Sequence, residues 1–173
     1  MGYQYLTKDL YSFIWTIKAQ YYQLFQRFRD SGKFTNLQII TQGYDYALPT
    51  YKTRWKKWYA LQPILNQMIN SGKWLIRPLM IKGITDEEIS RKILKAIIFE
   101  VNFLFADLAQ TFANVYHIDC RGTAMTFDDW FDELHLHSEK FKQIAEAYKK
   151  CIEKPPGNKV IKVALTLLLT SFL

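Results

Sequence analysis

Asp132 and His135 have the residue types and the spacing of a proton relay. A general base in acyl transfer needs an imidazole that can reach a hydroxyl. It also needs a carboxylate on the other ring nitrogen, to fix the tautomer and stabilise the imidazolium. Three residues apart at the mouth of a predicted helix, Asp132 and His135 can supply both from one turn of chain. Asp128, Asp129, Glu133 and His137 lie around them. The same residues allow two other readings. One is an Asp–His hydrogen bond that only fixes a loop; the other is a metal site built from His135, His137 and the aspartates. The metal reading lacks any further histidine or cysteine close by in sequence, so no metal or other cofactor is expected.

The elements that must position this pair follow from hydrophobic spacing. From Leu6 to Arg29, apolar residues recur at Leu10, Phe13, Ile14, Ile17, Tyr21, Leu24, Phe25 and Phe28, which predicts a helix with one core-facing stripe. Asp30-Ser31-Gly32 ends it, with Gly32 suited to the left-handed position. A short strand is predicted over Leu37–Thr41, then a loop over Gln42–Pro49, punctuated by Gly43 and Pro49. Residues 50–84 read as an irregular aromatic stretch with a candidate helix over Leu61–Ile69, closed by Ser71-Gly72. Thr85 starts a long helix with Asp86, Glu87 and Glu88 in its first turn, where negative charge opposes the dipole. A strand follows over Val115–Ile118, then a loop to His137, then a helix from Ser138 that stops at Pro155-Pro156-Gly157. Its stripe is Phe141, Ile144, Ala145, Tyr148 and Ile152. Strands alternating with helices predict an α/β fold with a parallel sheet. In such sheets functional residues gather on loops leaving the C-terminal strand ends. Those loops are Gln42–Pro49 and Asp119–His137, expected on one edge of the sheet.

Bulk properties narrow the classes. The chain of 173 residues fits one domain, and its 49% hydrophobic and 16% aromatic content argues against disorder. Its net charge of +7 is densest at Lys52, Arg54, Lys56 and Lys57, interleaved with Tyr51, Trp55, Trp58 and Tyr59. A solvated basic turn beside a buried aromatic face is the expected reading there, ahead of nucleic-acid binding. Cys120 and Cys151 read as reduced. The first 30 residues look amphipathic rather than like a signal peptide, which favours a cytoplasmic location. The apolar run Val160–Leu173 is shorter than the ~20 residues a spanning helix needs. A buried terminal segment is expected there in preference to a membrane anchor.

Several runs of residues carry a family resemblance. Tyr116-His117-Ile118-Asp119-Cys120-Arg121-Gly122-Thr123, then Asp129-Trp130-Phe131-Asp132-Glu133-Leu134-His135, then Ser138-Glu139-Lys140-Phe141 resemble the final block of SGNH (GDSL-type) hydrolases. In that family Asp-x-x-His provides the acid and base of the catalytic triad. Ile39–Pro49 and the stretch from Gly72 to Leu79 resemble neighbouring segments of one bacterial subgroup. Leu136 stands where relatives usually have Pro, and Gln42 where the subgroup often has His. The resemblance implies that residues 1–153 are the C-terminal portion of an SGNH domain, with 154–173 an unmatched apolar tail. It implies part of a three-layer α/β/α, flavodoxin-like fold with sheet order 2-1-3-4-5, of which this chain holds the last two strands.

The resemblance further implies a serine esterase or lipase-like hydrolase acting on ester bonds, with Asp132 and His135 as its catalytic acid–base pair. The family's Gly-Asp-Ser nucleophile block and its oxyanion Gly and Asn blocks have no recognisable counterpart here. Asp30-Ser31-Gly32 has the wrong order and ends a helix. The isolated chain is therefore expected to be inactive on ester substrates unless an N-terminal companion segment complements it, and to self-associate. The alternative is a non-catalytic SGNH-derived binding module that uses the aromatic and basic segment 51–75.

Overall fold

The structure, a computed structural model, describes residues 2–34, 36–51 and 73–164. The candidate helix over Leu61–Ile69, the basic cluster from Lys52 to Lys57 and the end of the apolar tail beyond 164 lie outside the described residues.

A short 3-10 turn at Gly2–Tyr5 precedes helix α1 (Lys8–Asp30). Leu10, Ile14, Ile17 and Phe25 face inward. The predicted stripe is wider than the observed one: Phe13 is 61% exposed, and Tyr21 and Leu24 also reach the surface. Gly32 takes the left-handed conformation predicted for it, at φ 65°. Strand β1 (Ile39–Gln42) follows, then the loop to Tyr51. The stretch read as irregular contains a six-residue helix, α2 (Ile76–Ile81), which carries Pro78 in its first turn.

Helix α3 (Glu87–Thr111) is capped by Asp86 rather than Thr85, the Asp86 carboxylate accepting from the Ile89 amide at 2.9 Å. Strand β2 (Val115–Asp119) is buried along its whole length. Helix α4 (Ser138–Glu153) starts one residue after its N-cap, His137. Its buried face is Ile144, Ala147 and Cys151, so Phe141 and Ile152 from the predicted stripe lie exposed.

The three strands form one parallel sheet in the order β1-β2-β3, where β3 is Val160–Lys162. The third strand departs from the two expected, and it draws the start of the apolar tail into the sheet. Side chains alternate across the sheet. Val115 and Ile39 pack with α1 and α3 in one core; Ile118, Ile40 and Ile161 pack with α4 in a second. Helices thus cover both faces. The chain advances in one direction from β1 to β3 while its crossovers lie on opposite faces, so the two crossovers have opposite hands. One of them departs from the right-handed rule that roughly 98% of such connections obey.

Candidate active site

Both predicted loops leave the C-terminal ends of parallel strands, and buried carboxylates stitch them together. The Asp45 side chain, 2% exposed, accepts from the amides of Tyr46, Gly122 and Ala124 at 2.6, 2.7 and 2.5 Å. Burial raises its carboxyl against the pull of those amides. Beyond Gly122, a capping box closes Phe127–Asp129: Asp129 accepts from the amides of Met125 and Thr126 at 2.8 Å each and pairs with Lys140 at 3.2 Å. Burial pushes the Asp129 carboxyl up, but these donors outweigh it and hold the group at about 2.

Residues 130–136 then form a tight turn whose base is pinned by an antiparallel bridge between Trp130 and Leu136. The dyad sits at its tip. Asp132 Oδ1 accepts from the amides of Leu134 and His135 at 2.8 and 2.7 Å, leaving Oδ2 to meet His135 Nδ1 at 2.8 Å. Burial of the Asp132 carboxyl works to raise it. The His135 ring bond and the two amides together prevail, and the group lies below its ordinary value. A carboxylate held ionised on Nδ1 selects the Nδ1–H tautomer and leaves Nε2 as the basic lone pair. The His135 side chain is 56% exposed, and Nε2 bonds nothing among the described residues.

The other titratable residues of this loop are not gathered around the dyad. Asp129 is the cap just described. Glu133 turns inward, and the His137 ring packs edge-on against Phe131 at 5.8 Å. Among the described residues, no group of three His, Cys, Asp or Glu side chains is arranged to hold a metal ion. None of the described serines bonds His135: Ser31 closes α1, and Ser90 is fully buried. Cys120 is no substitute nucleophile, because burial pushes its thiol up to about 12.

A small apolar cavity of about 40 Å³, with room for two or three water-sized groups, opens beside the turn. Tyr44, Cys120, Trp130, Phe141 and the two leucines flanking His135 line it. Burial raises the Tyr44 hydroxyl, helped by the charge of nearby Asp132.

Sequence reading missed the groups that hold this arrangement from behind. His117, fully buried on β2, bonds Thr41 through Nδ1 at 3.0 Å and Asn102 Oδ1 through Nε2 at 3.2 Å. Asn102 donates in turn to the carbonyls of Ile98 and Tyr44 at 2.8 and 3.2 Å. The only signal available was a polar residue on the core face of a helix and another inside an apolar strand. No family model, no curated protein and no solved structure matches this chain. Among the described residues, no helix is long and apolar enough to cross a membrane.

Proposed function

We propose that this chain is the acid–base half of an SGNH-type serine ester hydrolase. The observation that carries the reading is the 2.8 Å bond between Asp132 Oδ2 and His135 Nδ1, on a histidine that is 56% exposed and whose other ring nitrogen bonds nothing among the described residues, at the C-terminal edge of a parallel sheet. In this reading β1 and β2 are the last two strands of the family's 2-1-3-4-5 sheet, and β3 is an addition beyond them. Two further features support it. The helices before and between β1 and β2 lie on one face, and among the described residues no strand pairs with the outer edge of β1. That edge is where the preceding strand of the order would sit.

The nucleophilic serine and the oxyanion donors then come from a companion segment paired with β1. His135 Nε2 takes the proton of the serine hydroxyl as it attacks the ester carbonyl. Asp132 stabilises the imidazolium that forms, and His135 returns the proton to the leaving alcohol. Oxyanion donors are separately worth roughly 3–4 kcal/mol, so the dyad without them is a poor catalyst.

The test is hydrolysis of p-nitrophenyl acetate. The chain alone should show no turnover beyond that of surface histidines, unchanged in His135→Ala. With a segment bearing a Gly-Asp-Ser block supplied as a second chain or fusion, activity should appear, and His135→Ala should then lower it about a thousandfold or more. Robust turnover by the chain alone, blocked by a serine-directed phosphonate, would sink the proposal.

A further inference from the structure

The dyad turn is gripped from two directions. Its outward grip is internal, through Asp132 and the amides of its own turn. The inward grip is Glu133, the one buried side chain between Trp130 and Leu136, at 2% exposure. The Glu133 carboxylate accepts from the Thr50 amide at 2.9 Å, the Leu75 amide at 2.7 Å and the Ile76 amide at 3.2 Å, while its carbonyl accepts from Leu48 at 3.1 Å. Thr50 and Leu75 belong to two described segments that are 25 residues apart in sequence. Lys73 joins the same two segments by donating to the Tyr51 and Thr50 carbonyls at 2.5 and 3.5 Å. One buried carboxylate therefore fixes three backbone amides from two distant segments, and its neighbour in sequence is the acid of the dyad.

We infer that Glu133 is a positioning residue for the Asp132–His135 pair: it anchors the tip of the turn to the neck formed by Thr50 and Lys73–Ile76, so that dyad alignment depends on that neck. The inference rests on the reading of Asp132 and His135 as an acid–base pair. Phe131 and His135 are both exposed and anchor nothing inward. Replacing Glu133 by Gln keeps the volume but faces at least one backbone donor with an amide N–H, leaving a buried donor unsatisfied. The turn tip then keeps the Leu48–Glu133 backbone bond but loses part of its side-chain hold, and Asp132 Oδ2 shifts from His135 Nδ1.

The experiment is ring-nitrogen NMR on the full chain, with histidine labelled with 15N and the imidazole neutral. In the parent protein His135 should be held as the Nδ1–H tautomer by Asp132. Asp132→Asn should shift the ring nitrogens toward the mixture of an unrestrained imidazole, and Glu133→Gln should move them at least about half as far in the same direction. Loss of stability alone does not change the tautomer of the folded population. An unmoved tautomer in folded Glu133→Gln, beside a shifted one in Asp132→Asn, would overturn the inference while leaving the dyad intact. An unmoved tautomer in Asp132→Asn would remove the dyad and the inference together. Should Glu133→Gln fail to fold, Lys73→Ala loosens the neck from a half-buried side chain. It should move the tautomer in the same direction, and an unchanged ring there would equally overturn the inference.

Discussion

His117 shows how far a single buried side chain governs this sheet. Its ring is caught between Thr41 and Asn102. The Asn102 amide spends both hydrogens on the Ile98 and Tyr44 carbonyls, so its oxygen faces His117 and requires Nε2–H. The neutral ring then presents Nδ1 as an acceptor 3.0 Å from the Thr41 hydroxyl, whose single hydrogen it shares with the Tyr116 carbonyl at 3.1 Å. Burial lowers His117 from its ordinary value of 6.5 to about 4, against the attraction of Asp119. A histidine depressed in the folded state contributes stability that is fully present above its unfolded value. That stability is lost as pH falls from 6.5 toward 4, because the unfolded chain takes the proton first. The loss should approach about 3 kcal/mol across that window. Urea unfolding at stepped pH checks it, with folded His117→Gln as reference, since Asp45 and Glu133, both raised by burial, act in the opposite sense. An equal slope in parent and variant would refute the assignment. At this scale the hydrogen-bonded contact of Asp132 with His135 was legible in the sequence, because two residues three apart need only one turn of chain to meet. The sequence did not reveal His117 with Asn102, or Glu133 with Thr50, whose partners lie 15 and 83 residues apart and meet only through the sheet.

Helix α3 and the loop after β1 meet at a point where no side chain fits. A β-carbon built on Gly43 would stand 1.8 Å from Asn102 Oδ1 and 2.7 Å from its Cγ, and Asn102 is held by His117, Ile98 and Tyr44. The glycine is required for close approach. Gly43→Ala must displace the amide, and should destabilise the protein by roughly 1–3 kcal/mol. Asn102→Ala makes space but strands the His117 N–H. The double variant should be more stable than the sum of the two losses predicts, by at least about 0.5 kcal/mol, read from denaturant midpoints. Additive losses would mean that the loop yields instead of the amide. Elements were legible where a long periodic face existed, as in α1, α3 and α4, and where β-branched residues clustered, as in β1 and β2. Two were not. The helix Ile76–Ile81 is short and carries a proline, and β3 is three residues of a longer apolar run whose crossover opposes the hand of the other. Only pairing with His117, Ile118 and Asp119 makes Val160–Lys162 a strand.

On the scale of the whole molecule, the sheet has an edge with nothing on it among the described residues. The Ile39 and Gly43 amides turn inward, to the carbonyls of Asn114 and Ile118 at 2.9 and 2.8 Å. Alternation along the strand therefore aims the amides of Ile40 and Gln42 outward. An open strand edge is a template for another strand, and α1 adds apolar surface, with Phe13 and Trp15 61% and 64% exposed. The isolated chain should self-associate, its mean sedimentation coefficient rising with concentration. Gln42→Pro removes an outward donor from an exposed position, a substitution that edge strands tolerate. It should weaken association about tenfold, equivalent to roughly 1.4 kcal/mol, with an unchanged far-ultraviolet circular dichroism spectrum. Phe13→Lys tests the other surface. If Phe13→Lys disperses the chain and Gln42→Pro does not, the helix face is the interface and β1 is not the docking edge. A monodisperse, cooperatively unfolding monomer at all concentrations would go further. It would remove the free edge as a place for a companion strand, and with it the structural support for reading this chain as half of a larger sheet.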